Sequence, residues 1–237
     1  MAYLEKPKGD DKKELHKQAM EERQLCLDAD KHNREAALDD LKFWRLSEQW
    51  PEDAREQRSQ EHRPCLTFNK GPTFIRQVVN EGRQNKPAIK VHPADDSADP
   101  ETAEVMNGLI RNIEYGSDAE VAYDTGLDFA ASCGVGYWRV GIEFSHDDTF
   151  DKDLQIQRID NPLAVLRDYA STAADSSDWM RCFVDSTMEV DQFNEKYKGK
   201  GATSIDSDAF GSMSDGWKDG KNIIVSEYWC RKEVPRT

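Results

Sequence analysis

The stretch from Lys12 to Arg45 contains neither glycine nor proline and is dense in Glu, Lys, Arg and Ala. It predicts one long helix, because these residues favour helices and nothing in the run interrupts them. The Trp50-Pro51 step should end it. Its apolar or small residues recur at roughly helical spacing but form a weak stripe: Leu15, Ala19, Cys26, Ala29, Ala37, Leu41 and Trp44. We therefore expect the helix to lie across a partner surface, or to be anchored by aromatic residues at its end.

Strongly apolar side chains are scarce along the whole chain. Leu, Ile, Val and Phe total 44 of 237 residues, and 46 acidic residues face 32 basic ones, which approaches the composition of disordered proteins. Six Trp, seven Tyr and nine Phe argue for a folded chain, because disordered segments are poor in aromatic residues. The sequence predicts a folded, polar protein with much surface per unit of core, as in a subunit of an assembly.

Downstream of the first helix, helical and strand periods alternate. A short helix is predicted between Pro72 and Gly82, a pair of helices over 101–132 with a break at Gly116-Ser117, and another short helix over 191–197. Strand patterns occupy 86–93, 165–167, 182–184 and 222–230, and two runs around a polar turn predict a β-hairpin within 133–162. We expect an α+β fold with a long N-terminal helix and a helical layer on a small, mostly antiparallel sheet.

Four segments are expected along the chain. Residues 1–63 are an N-terminal helical segment and 64–198 an α+β core. Residues 199–221, rich in Gly, Ser and Asp, are a flexible loop, and 222–237 hold a strand and what we interpret as a truncated end.

Charge limits the classes of partner. The net charge is -14, which removes the counterion release that drives tight nucleic-acid binding. No apolar run approaches 18 residues and the N-terminus lacks a secretory signal, so we expect no membrane span, no export and a cytoplasmic location. The charge is uneven: residues 64–94 sum to +4 and 95–135 to -9. That layout suits contact between copies of the chain.

Catalytic and ligand motifs are weak. The acidic turn with Asp147, Asp148, Asp151 and Asp153 offers carboxylates to a cation, but it lacks the glycine and the closing glutamate of a calcium loop. Gly134 and Gly136 follow a helix and enter a strand, the reverse of a dinucleotide loop, so we interpret them as allowing close backbone packing. The five Cys show no metal-binding spacing and are expected to be buried free thiols. No catalytic residue, metal or cofactor is predicted.

Several segments, in order, resemble the portal proteins of short-tailed bacteriophages. They are QWP at 49–51, RPCLTFN at 63–69, VVNEGRQNKPAIKVHP at 78–93, the run from Ala103 to Val140, and IQRIDNPLAV at 156–165. The resemblance implies a virion protein that forms a ring of twelve subunits at one capsid vertex after assembly in the host cytoplasm. Double-stranded DNA passes through such a ring without sequence specificity. Terminase, scaffolding or capsid proteins and tail proteins are the implied partners, and the implied region is the N-terminal, wing-like part.

The residues that carry this resemblance are expected to be structural. They are Trp50, Arg63, Pro64, Thr67, Asn69, Asn80, Arg83, Asn85, Pro87, Gly134, Gly136, Trp138, Arg139, Asn161 and Pro162.

Arg76 and Arg83 are candidate subunit contacts, through which the basic residues 64–94 would face the acidic helices of residues 95–128 in a neighbouring copy. Two other functions stay open at this point. One is a metal-dependent hydrolase that uses the Asp-rich turn, and the other is an adaptor domain whose long first helix binds a partner protein.

Overall fold

The computed structural model describes residues 9–45, 49–85, 89–95, 99–145, 148–173, 176–197 and 222–231. Its helices are α1 (Gly9–Arg45), α2 (Glu52–Gln60), α3 (Gly71–Gln84), α4 (Pro100–Gly116), α5 (Ala119–Cys133) and α6 (Val190–Lys196). Its strands are β1 (Trp138–Phe144), β2 (Lys152–Arg158), β3 (Val165–Leu166), β4 (Arg181–Glu189) and β5 (Asn222–Cys230). The predicted α+β class and the long first helix are confirmed.

The chain divides into two compact units. One, the sheet unit, comprises Met1–Glu35 and Leu163–Thr237, and the other, the hairpin unit, comprises Ala36–Pro162. The first boundary falls within α1. The four segments expected from the sequence stay a prediction.

The sheet unit is built on an antiparallel sheet in the order β3-β4-β5. Its core is small: Cys26 of α1, Leu166 of β3 and Phe183 of β4 are almost fully buried. Phe183 lies opposite Tyr228 of β5, and the two rings stack with centroids 4.8 Å apart. The strands predicted near 165, 182 and 222–230 and the helix predicted over 191–197 are thereby confirmed.

The hairpin unit packs helices against the antiparallel pair β1-β2. Ala119 and Ala122 of α5 pack on Ile156 of β2, with Ile113 at the edge of this cluster. Asp99 caps α4, its carboxylate accepting hydrogen bonds from the amides of Glu101 and Thr102. The predicted hairpin, and the helix pair broken at Gly116-Ser117, are confirmed.

The strand predicted over 86–93 is wrong for residues 89–93, which are not in a strand, and residues 86–88 lie outside the described part. The reason is a side chain that replaces a neighbouring strand. Asn107 of α4 accepts a hydrogen bond from the Val91 amide at 2.8 Å and donates one to the Val91 carbonyl at 3.0 Å. The amide group thus satisfies both polar atoms of that residue's backbone.

Helix α2 has no counterpart among the helices predicted from the sequence. None of its residues is buried, so it shows no apolar period. A helix-start signal was nevertheless present, because Pro51 is followed by Glu52 and Asp53, and acidic side chains favour the first turn of a helix. The predicted loop over 199–221 lies outside the described residues.

Candidate subunit-contact surfaces

Trp50 organises the segment that follows α2. Its indole Nε1 donates a hydrogen bond to Thr67 Oγ1 at 3.1 Å, and the Arg58 guanidinium lies 4.8 Å from the centre of its ring. Arg58 also donates to the Pro64 carbonyl at 3.0 Å. Three of the residues singled out from the sequence, Trp50, Pro64 and Thr67, therefore meet in one polar cluster of the hairpin unit.

Asn69 extends this network to two helices. Its side-chain amide donates to the Trp44 carbonyl near the end of α1 at 2.6 Å, and its oxygen accepts from the Gly71 amide at the start of α3 at 3.2 Å. The segment from Thr67 to Asn69 is thus tied inward, while Leu66 and Phe68 remain exposed. The polar side chains of Thr67 and Asn69 therefore anchor this segment, and the apolar side chains of Leu66 and Phe68 face outward.

Gly134 and Gly136 shape the turn from α5 into β1. Gly134 ends α5 at φ 84°, a left-handed conformation that favours glycine. A Cβ on Gly136 would lie 1.8 Å from the Gly126 carbonyl oxygen, so two backbones touch at this point. Trp138 then packs edge-on against Tyr123, with ring centroids 5.1 Å apart. The CGVGYW order thereby fixes the hairpin onto α5.

The remaining motif residues are scattered over the hairpin unit. Arg139 Nε donates to Gln157 Oε1 at 2.7 Å across the hairpin, and Asn85 caps the end of α3. Arg63 pairs with Glu61 at 3.3 Å. Asn80 is exposed, Asn161 is half-buried, Pro162 is buried in a short 3-10 turn, and Pro87 lies outside the described residues. No single chemical site gathers these side chains within the described part of the chain.

The two candidate contact arginines differ. Arg83 Nε lies 2.9 Å from Asp124 Oδ2, so its charge joins α3 to α5 within the same chain. Arg76 is exposed on α3. Arg76 is therefore the cleaner probe of a contact between copies, because reversing its charge breaks no ion pair that the structure describes.

The hairpin carries a surface that the sequence reasoning missed. Antiparallel register places apolar side chains together on one face, and they remain between 45% and 66% exposed: Trp138, Val140, Ile142, Phe144 and Leu154. Outside the hairpin, Trp229 of β5 is also exposed, at 57%. The signal for this face was available in WRVGIEF, where every second residue is apolar.

The acidic turn gathers no metal ligands among the described residues. Asp148, Asp151 and Asp153 are exposed, and no group of three or more His, Cys, Asp or Glu side chains in that part of the chain is placed to hold an ion. Asp151 instead receives a hydrogen bond from the Thr149 hydroxyl at 3.1 Å. Asp147 lies outside the described residues.

The cysteines are free thiols, as expected, but they are not all buried. Burial raises the pKa of Cys26, Cys133 and Cys182, which keeps these thiols protonated and poorly nucleophilic. Cys65 and Cys230 are exposed, contrary to the expectation. No described helix has an apolar stretch long enough to span a bilayer.

Comparison with known proteins decides the family. A family model described as phage P22-like portal protein matches residues 20–237. The chain belongs to this family. A relative named "Portal protein", from Acyrthosiphon pisum secondary endosymbiont phage 1, is 25% identical over 172 residues. The match covers 70% of this chain and 24% of that relative, so the chain spans about a quarter of the relative's length. The resemblance to phage portal proteins drawn from the sequence is confirmed.

Proposed function

We propose that this chain is part of the subunit of a portal ring, a structural and non-enzymatic assembly of twelve copies at one vertex of a phage capsid. Double-stranded DNA would pass through the ring during packaging and ejection. Terminase, scaffolding or capsid proteins and tail proteins would dock on it. The observation that carries the proposal is the match of the portal family model over residues 20–237.

Two physical features support a structural role. The net charge of -14 favours loose contact with a polyanion, which suits DNA that must slide rather than stick. The described part of the hairpin unit also leaves many large apolar side chains exposed, including Phe74, Val105, Ile142 and Phe144. Contiguous exposed apolar patches mark protein interfaces, and Val140, Ile142 and Phe144 share one exposed face of β1.

The charge layout indicates how neighbouring copies would meet. A ring uses heterologous contacts, in which one face of a subunit meets a different face of the next. We propose that the basic residues 64–94 face the acidic helices of residues 95–128 in the adjacent copy, with Arg76 in the contact.

Electron microscopy of the whole portal protein that contains this chain tests the proposal. We expect closed rings, and we expect Arg76→Glu to lower the ring yield. Arg55→Glu is the matched control, because it reverses an exposed helical arginine outside the basic stretch. A protein that stays monomeric would contradict the portal role. Equal ring yields for the two variants would show that the proposed charge contact does not contribute to assembly.

A further inference from the structure

The hairpin unit covers only part of its own apolar sheet face. Ile156 of β2 is buried against Ala119 and Ala122 of α5. Val140 lies directly opposite Ile156 in the register, yet it is 56% exposed. Four neighbouring apolar side chains on this side of the hairpin are between 46% and 66% exposed, and we name them the hairpin face: Val140, Ile142, Phe144 and Leu154. A contiguous apolar patch of this kind marks a contact with another protein surface.

One basic side chain of the hairpin face is available to a partner. Lys152 is exposed and lies opposite Phe144 in the register, and its ammonium is 5.6 Å from the centre of the Phe144 ring. Arg158, at the other end of β2, is already paired with Asp160 at 2.5 Å. A complementary surface therefore combines apolar side chains with one carboxylate beside them.

Helix α3 carries that combination. Phe74, Val78 and Glu81 follow one another at intervals of four and three residues, so they share one stripe of the helix. Phe74 and Val78 are 66% and 55% exposed, and Glu81 is exposed as well. We name these three side chains the α3 stripe.

The basic side chains at α3 do not oppose a cation at the stripe. Arg76 lies two positions from each apolar residue of the stripe, which is about 200° around the helix and therefore on its opposite side. Arg83 is paired with Asp124 of α5 at 2.9 Å. Lys70 precedes Glu81 by eleven positions, or about 16 Å along the helix, which exceeds the Debye length of about 8 Å at physiological ionic strength.

The hairpin face and the α3 stripe lie on different elements that α5 separates. Helix α3 packs on α5, and α5 packs in turn on β2. The two surfaces can therefore serve two different neighbours, as a ring of head-to-tail contacts requires. The net charges agree with this pairing, because residues 64–94 sum to +4 while residues 138–158 hold three basic and five acidic residues.

We propose that the hairpin face of one copy docks on the α3 stripe of the adjacent copy, with Lys152 beside Glu81. The inference rests on the proposed ring and names the side chains that seal it. The apolar side chains supply most of the binding free energy, and the ion pair fixes their alignment. Arg76, on the opposite side of α3, remains available for the acidic helices of the same neighbour.

Photo-crosslinking identifies the occupant of the hairpin face. A photoreactive phenylalanine analogue would replace Phe144 in the whole portal protein, and assemblies mixed from isotopically heavy and light subunits would be irradiated. We expect crosslinks that join heavy to light chains and map to α3, residues 71–84. Rings whose crosslinks stay within single chains, or map to another element or another protein, would overturn the inference but not the ring. Absence of any ring would overturn the proposed function, and this contact with it.

Charge exchange tests the pairing of Lys152 with Glu81. Lys152→Glu should raise the protein concentration needed for half assembly by about threefold, because it places two carboxylates together. The double variant Lys152→Glu/Glu81→Lys should recover the original concentration.

The matched control is Lys152→Glu/Glu104→Lys, which makes the same exchange with an exposed carboxylate of α4 and should bring no recovery. Equal recovery in the two double variants, or none in the first, would contradict the pairing.

Discussion

The two units of the chain compensate for a shortage of apolar residues in different ways. The sheet unit buries charge: Arg23 of α1 and Asp185 of β4 form an ion pair at 2.7 Å, with side chains 4% and 8% exposed. Arg34 donates to the Val165 carbonyl at 3.0 Å and also to the Leu163 carbonyl. Polar side chains thus join α1 to the strands around a very small core.

The hairpin unit relies on small residues and leaves its large ones outside. Ala119, Ala122 and the Gly126–Gly136 backbone contact allow close approach, while Ile142 and Phe144 face solvent. The comparison teaches that a polar chain can be stabilised either by internal polar partners or by close backbone packing. In the second case its large apolar side chains remain available for contacts between copies.

The largest expected effect comes from breaking the buried ion pair of the sheet unit. Asp185→Leu removes the carboxylate that pairs with Arg23 and should destabilise this unit by about 3–5 kcal/mol. Hydrogen exchange of the β4 and β5 amides would measure the loss. The double variant Arg23→Met/Asp185→Leu should recover most of it, because no buried charge is left behind. Unchanged exchange in Asp185→Leu would show that the ion pair does not stabilise the unit.

The next effect is a backbone clash in the hairpin unit. Gly136→Ala places a methyl group where the Gly126 carbonyl oxygen lies, so α5 and β1 must separate, at a cost of about 3 kcal/mol. Urea unfolding would measure it. Gly108→Ala is the control, because its Cβ meets nothing within 4 Å and alanine favours a helix. Similar stabilities for the two variants would refute the role given to the backbone contact.

A smaller loss is expected where a side chain replaces a strand. Asn107→Ala leaves the Val91 amide and carbonyl without their partner and should cost about 1–3 kcal/mol. The exchange rate of the Val91 amide should rise. Asn112→Ala, at an exposed position of the same helix, should leave that rate unchanged. Equal rates in both variants would rule out the Asn107 clamp.

Acid should open one loop of the sheet unit. Hydrogen bonds from the amides of Thr172 and Ala173 and from the Ser171 hydroxyl lower the pKa of Asp178 from 3.8 to about 2. A carboxyl whose pKa is depressed by folding stabilises the fold above pH 3.8, and this contribution is lost as the pH falls towards 2. Exchange of these amides should therefore accelerate over that range. Asp178→Asn should remove the pH dependence, and its persistence would argue against this carboxyl.

The smallest expected change in stability is on the exposed apolar face of the β1-β2 hairpin. Ile142→Asp should alter the unfolding free energy of the unassembled protein by no more than about 0.5 kcal/mol, because the side chain is exposed within its own chain. Urea unfolding below the assembly concentration would measure this. A loss of several kcal/mol would show that the chain itself covers the face.

Local patterns predicted most of the elements. Helical period identified α1, α3, α4 and α5, and the break at Gly116-Ser117 separated the last two. Two elements were missed for different reasons. Helix α2 buries none of its residues and so has no apolar period. Residues 89–93 alternate like a strand, but the backbone of Val91 pairs with the Asn107 side chain instead of a neighbouring strand.

The contact surfaces were less predictable than the elements. Alternation in β1 indicates that Trp138, Val140, Ile142 and Phe144 share a face, but it does not say whether that face is covered. Coverage depends on tertiary packing, which here brings α5 over Ile156 and leaves Ile142 bare. The partner of Arg83 was hidden for the same reason, since Asp124 lies 41 positions away in the sequence.

A density map of the assembled whole portal protein by electron cryomicroscopy tests the central claim most directly. The account predicts a closed ring in which the exposed apolar face of β1, with Val140, Ile142 and Phe144, is covered by an adjacent copy. A ring in which that face remains open to solvent, or is covered by the same chain, would contradict it.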